Sequence, residues 1–179
     1  MYMDHAQLLF FSTSGLFRKG QARALSLIQK MVVERARKVA MKENNLLSEV
    51  ELFKGLAKSK IDCILDSMEL VHYRPGEVIV QENDLALDFF VIVKGEVEIR
   101  KGGVVMASKV SHDMFGENAL SVQKLKALRT ATVAARIHTD CYKLSRSKLK
   151  SLVADGILSE NMLTNFQNVL KSRYDDNNK

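Results

Sequence analysis

The chain has 179 residues, room for one packed domain with helical appendages but not for two large ones. Hydrophobic residues at 46% and charged residues at 27% are ordinary for a soluble globular protein. The charge of +6, from 27 Lys and Arg against 21 Asp and Glu, is modest, and no nucleic-acid-binding signature accompanies it, so nucleic acid is not an expected partner.

The first apolar run, Gln7 to Phe11 (QLLFF), is too short to span a bilayer. Asp4 and His5 precede it where a secretory leader carries positive charge, so a cytoplasmic protein without membrane insertion is expected. Residues 21–42 are predicted to be a helix. Leu25, Ile28, Met31 and Val32 form a stripe that Val39 extends, while Arg23, Lys30, Glu34, Arg35 and Lys38 lie largely elsewhere. Such a basic amphipathic helix suits a membrane surface or calmodulin, but packing on a neighbouring domain or a partner helix is the commoner use. Asn44-Asn45 punctuates its end. A second helical piece, about Ser48 to Met68, is broken near Gly55 and draws its apolar face from residues such as Leu52, Phe53, Ile64 and Leu65.

From Val71 the pattern becomes strand-like. Pro75-Gly76 is a turn pair ahead of the β-branched run Val78-Ile79-Val80, which the polar QEND closes. Residues 88–110 hold two or three strands punctuated by Lys94-Gly95 and Gly102-Gly103, the latter suited to a tight hairpin. RTATVAARI and CYKLS are further strands, interrupted only by a helix predicted over 117–127. Ser145 is a plausible N-cap for RSKLKSLVAD, which Gly156 closes. Leu158, Met162, Leu163, Phe166, Val169 and Leu170 then make the apolar stripe of a last helix, 158–174.

The expected fold class is therefore α+β, an antiparallel β-barrel or jelly roll flanked by N-terminal and C-terminal helices. The expected divisions are 1–45, a basic helical segment; 46–155, the barrel with its leading helices; and 156–179, a C-terminal lid helix with a polar tail. Cys63 and Cys141 are far apart and read as reduced thiols. His5, His72, His112 and His138 are scattered, so neither a metal site nor a catalytic site is expected.

One stretch carries chemistry. Phe115-Gly116-Glu117-Asn118-Ala119-Leu120 is followed, after a basic segment, by Arg129 at the mouth of a strand. Gly116 brings backbone close to a ligand, the first-turn amides of a helix starting at Glu117 lack internal partners, and Arg129 adds a forked donor for phosphate. Glu117 would repel phosphate, but suits a sugar hydroxyl beside it. An anion clamp next to a hydroxyl acceptor describes a ribose phosphate. Taken singly, each residue is equally well a core aromatic, a turn, a helix-start acid or a surface charge.

FGENAL followed by RTATV resembles the phosphate-binding cassette of the cyclic-nucleotide-binding domain family, found in cyclic-nucleotide-dependent protein kinases and gated channels. PGEVIVQEND and DFFVIVKGEVEI resemble that family's first strands, and the resemblance covers about residues 48–170. It implies that the amides of Gly116 and Ala119 hold the cyclic phosphate, that Glu117 takes the ribose 2′-hydroxyl, and that Arg129 pairs an equatorial oxygen. Thr130 would contact phosphate and reach a guanine amino group, while Leu120, Val91 and Ala131 would be pocket wall. Phe166 or Tyr174 is a candidate base cap, with helix-to-barrel packing and a solvent-facing helix end as the plainer alternatives. Asn118 stands in place of an aliphatic residue, the spacer SVQKLKAL is longer than usual, and Asn83 and His112 stand at or near glycine positions.

The implied function is a regulatory module that binds cyclic GMP or cyclic AMP, uses no cofactor, and reports occupancy to a protein kinase catalytic domain or another effector. The alternatives are a degenerate barrel serving as a protein-interaction scaffold, or the cytoplasmic sensor of an ion channel. An enzymatic cupin lacks its converging ligands, and some 25 residues after the barrel's closing helix are too few for a helix-turn-helix domain.

Overall fold

In the computed structural model, which describes residues 15–43, 46–120 and 126–176, the chain divides into two compact units that meet in sequence at Glu43 and Asn44. The described residues of the first form one helix, α1 (Gly15–Glu43). It starts earlier than expected because one interior glycine, Gly20, costs only about 1 kcal/mol, too little to stop a helix. Leu25, Ile28, Met31 and Val32 stand exposed on it, and Glu34 meets Lys38 one turn on at 3.9 Å.

The second unit opens with α2 (Leu46–Glu49), a 3-10 turn (Glu51–Phe53) and α3 (Lys58–Ser67). The break falls at Gly55, whose φ of +82° continues no right-handed helix. Leu47, Val50, Leu52, Phe53, Ile64, Leu65 and Met68 from these short pieces are buried, so packing rather than helix length holds them in place.

Among the described residues eight strands follow: β1 (Glu69–Tyr73), β2 (Val78–Val80), β3 (Asp88–Lys94), β4 (Glu96–Lys101), β5 (Val104–Val110), β6 (Met114–Phe115), β7 (Thr132–Ala135) and β8 (Thr139–Ser145). They form two antiparallel four-stranded sheets, ordered β1-β8-β3-β6 and β2-β7-β4-β5. This is the jelly-roll arrangement expected from the sequence. The unbroken apolar run Phe89 to Ile92 fits β3, which is buried on both faces, whereas β5 is an edge strand with most side chains in solvent. Phe90, Ile92, Val97, Phe115, Val133 and Cys141 make a core cluster drawn from both sheets, with Phe90 and Phe115 stacked at 4.8 Å.

Local chemistry sets the turns. Gly102 and Gly103, at φ +55° and +84°, supply the two left-handed residues that a tight hairpin between β4 and β5 requires. Asn83 and His112 are the positive-φ residues other than glycine among those described. After β8, Ser145 accepts a hydrogen bond from Lys148 N at 3.4 Å and caps α4 (Arg146–Ala154). Gly156 then reverses the chain into α5 (Glu160–Asp176), with Leu158, Leu163 and Phe166 buried.

The helix expected over 117–127 is corrected. The described part is a 3-10 turn, Glu117–Leu120, and residues 121–125 lie outside the described residues. Ala127 O accepts from Ala86 N at 2.8 Å and Leu128 bridges Leu85, so the chain is already extended there and cannot be helical. Among the described residues no helix is long and apolar enough to cross a membrane.

Candidate functional site

The chain leaves β6 through Gly116, whose φ of +80° turns it sharply into the 3-10 turn. A side chain here meets two obstacles. A Cβ would lie 2.7 Å from Arg129 Nη1 and 2.9 Å from Asp88 O. Glycine is required both for the backbone angle and for the close approach of a guanidinium. Over its four described residues the 3-10 turn offers main-chain amides at this point.

Arg129 reaches the turn from the segment just ahead of β7. Its N–H donates to Asp84 O at 2.8 Å and its carbonyl accepts from Asn83 N at 3.0 Å. The left-handed Asn83 thus does for the β2–β3 loop what a glycine would. The side chain is 6% exposed and runs over the Phe90 ring, with the guanidinium carbon 5.9 Å from the centroid. Nη1 donates to Gly116 O at 3.4 Å. The same oxygen accepts from Ala119 N at 3.0 Å. One main-chain donor and one guanidinium donor therefore converge on a single oxygen.

Burial depresses the Arg129 pKa, and Asp88, Glu117 and Asp84 act against that effect. Among the described residues no direct ion pair engages this guanidinium. Three carboxylates favour its charged form through space, and among the described residues most of its fork is not engaged. The same carboxylates oppose a bare anion, so the field favours a ligand that also offers hydroxyl donors.

Gly116, Glu117, Asn118, Arg129, Thr130 and Ala131 line one cleft, closed behind by Val80, Ile99, Phe115 and Val133. It encloses about 50 Å³, and about 380 Å³ with its open mouth included. Six of the eight ligand-binding residues expected from the sequence are thus brought together. The other two, Ala119 and Leu120, are each 1% exposed and do not line it. Val91 is buried within β3, away from the cleft, as its pairing with Met114 and Tyr142 dictates. Phe166 is buried in α5 and is not a lining residue, and the side chain of Tyr174 lies outside those described.

Val80, Ile99 and Val133 are the wall that the sequence reading missed. Val133 pairs with Val80 on one side and Ile99 on the other, so only the sheet order β2-β7-β4 puts the three side by side. α5 touches the site through Gln167, whose Nε2 donates to Glu117 O at 3.1 Å.

The cyclic nucleotide-binding domain family matches residues 70–155. A cAMP-dependent protein kinase regulatory subunit from Mycosarcoma maydis is 40% identical over 102 residues, 55% of this chain and 19% of that protein. A cGMP-dependent protein kinase from Plasmodium berghei is 24% identical over 118 residues, 65% of this chain and 13% of that protein. The chain thus spans about a fifth or less of the length of these two relatives. Among solved structures, the regulatory domain of Toxoplasma gondii PKA in co-crystal with cAMP superposes with a TM-score of 0.64 at 18% identity, covering 77% of this chain and 51% of that one. At that identity the likeness is one of fold. Residues 70–155, with the glycine turn and the buried arginine they contain, are a domain of the cyclic nucleotide-binding family.

Proposed function

We propose that this chain is a regulatory module that binds a cyclic nucleotide and has no catalysis of its own. The observation that carries the reading is the buried Arg129 fork, opposed to the Gly116 turn and left with unused donors. In this reading the amides of Gly116 and Ala119 and the Arg129 guanidinium hold the cyclic phosphate. Ala119 N–H exchanges the Gly116 carbonyl for a phosphate oxygen, and Glu117 accepts from the ribose 2′-hydroxyl. Thr130 meets the phosphate edge, and Val80, Ile99 and Val133 support ribose and base. The carboxylates around Arg129 supply selectivity against inorganic phosphate, which brings no hydroxyl for Glu117.

Relatives named for dependence on cAMP and on cGMP both support a cyclic nucleotide without choosing between them. Their names also support a protein kinase catalytic domain as the effector; the cytoplasm is the setting proposed with it. Occupancy would be reported through α5, because Gln167 ties it to the carbonyl of Glu117. Bound nucleotide shifts the population only if it prefers one α5 position to another.

Isothermal titration with cyclic GMP and cyclic AMP, repeated with Arg129→Ala, is the direct test. Micromolar binding that the substitution leaves unchanged contradicts the assignment. A second reading, a scaffold barrel without ligand, is favoured by the 50 Å³ enclosed, well below the roughly 300–1,000 Å³ common for small-molecule sites. Thermal unfolding separates the two. A nucleotide at 100 times its dissociation constant stabilises by about 2.7 kcal/mol, and no shift with either nucleotide supports the scaffold.

A further inference from the structure

Asn118 and Arg129 belong to one device. The Asn118 side chain donates from Nδ2 to Leu128 O at 3.0 Å, closing the chain on itself across ten positions. That carbonyl and the Arg129 N–H are the two ends of one peptide unit. The N–H is already held by Asp84 O at 2.8 Å. With no cis peptide bond among the described residues, the two groups point in opposite directions, so this plane is gripped from both sides. The next peptide is held as well, through Asn83 N on Arg129 O at 3.0 Å. Two pinned planes flank the Arg129 Cα and fix the direction in which its side chain leaves. Of these three bonds, only the one from Asn118 comes from the turn that the guanidinium faces.

We propose that Asn118 is a positioning residue for the site. Its amide fixes the span between the glycine turn and the arginine, and sets the affinity for a phosphate-bearing ligand by aiming Arg129 rather than by touching the ligand. This inference rests on the nucleotide-binding reading above.

The test is titration of the full chain with cyclic GMP and cyclic AMP, for wild type, Asn118→Leu, Arg129→Lys and the double variant. Losing one neutral hydrogen bond corresponds to about a 3- to 10-fold weaker affinity for Asn118→Leu. Its thermal midpoint should stay within about 2 °C of wild type, because the bond lies at the surface. On the Arg129→Lys background, where the fork is gone, the further loss should be less than about half as large. Asn118→Gln, which keeps a donor, should recover part of the affinity. Wild-type affinity in Asn118→Leu, or a loss that carries over in full onto Arg129→Lys, overturns the positioning role and leaves nucleotide binding standing. If wild type binds neither nucleotide, both readings fall together.

Discussion

Thr139 and Arg129 are the two buried polar residues of the described structure, and each lies against a glycine that cannot carry a Cβ. Thr139 faces Gly95. Its hydroxyl is within bonding distance of Glu96 O at 3.0 Å, Ile137 O at 3.0 Å and Glu96 N at 3.3 Å, so nothing there is left to bond. Arg129 faces Gly116 and, among the described residues, its guanidinium of five donors makes one long bond at 3.4 Å. The two regions share a construction and differ in saturation. A saturated buried polar group serves the fold, whereas an unsaturated one beside a cleft is capacity held for something else.

The largest expected effect breaks the arginine end. Arg129→Ala should weaken nucleotide binding by about 30- to 1,000-fold in titration, the range for truncating a buried charged partner. Its stability in urea should be unchanged or slightly raised, because a desolvated charge has been removed. Gly116→Ala should also weaken binding, since its Cβ would strike Arg129 Nη1 at 2.7 Å, but at φ +80° and 2.9 Å from Asp88 O it should lower stability as well. Gly95→Ala is the converse. Its Cβ would lie 2.5 Å from Thr139 Oγ1 and 2.7 Å from the backbone oxygen of His138, so stability should fall by at least about 2 kcal/mol while the folded fraction binds normally. A Gly95→Ala protein with lost affinity and intact stability would reverse the distinction.

Thr139→Val should lower unfolding stability by about 1–3 kcal/mol through unsatisfied neighbours, with no change in affinity. Alkaline titration probes burial away from both ends. Burial pushes the Cys141 thiol from 9.0 up to about 12, and Tyr73 from 10.0 up to about 12. Between these limits the unfolded chain has lost protons that the folded chain retains, so stability is full below about pH 9 and falls towards pH 12. Cys141→Ala should flatten that fall in urea unfolding, without changing the difference between the arginine and threonine ends.

The β regions were legible because their signals are local. Gly102-Gly103 named its own hairpin, Ser145 its own cap, and the β-branched runs their own strands. Gly116 and Arg129 were legible by resemblance to a known cassette, and their apposition needed the fold. Of the helix expected over 117–127, the described residues show a 3-10 turn at one end and, just past the other, the bridge between Leu85 and Leu128, a pairing between distant segments that leaves no periodic trace. The hydrophobic wall of the cleft was hidden for the same reason, since Val80, Ile99 and Val133 become neighbours only when three strands assemble. The grip of Asn118 on Leu128 depends on one side-chain rotamer, beyond the reach of pattern.

The place of β8 has a consequence for how such a domain comes into being. The last strand made lies between β1 and β3, and its Asp140 meets His72 across 68 positions. Until a ribosome has released residue 145, the first strand has no neighbour to pair with, and the third has one flank open. Assembly therefore waits on distant loop closure, the slow regime for two-state domains, and a nascent chain halted before Thr139 holds a sheet with its central seam missing.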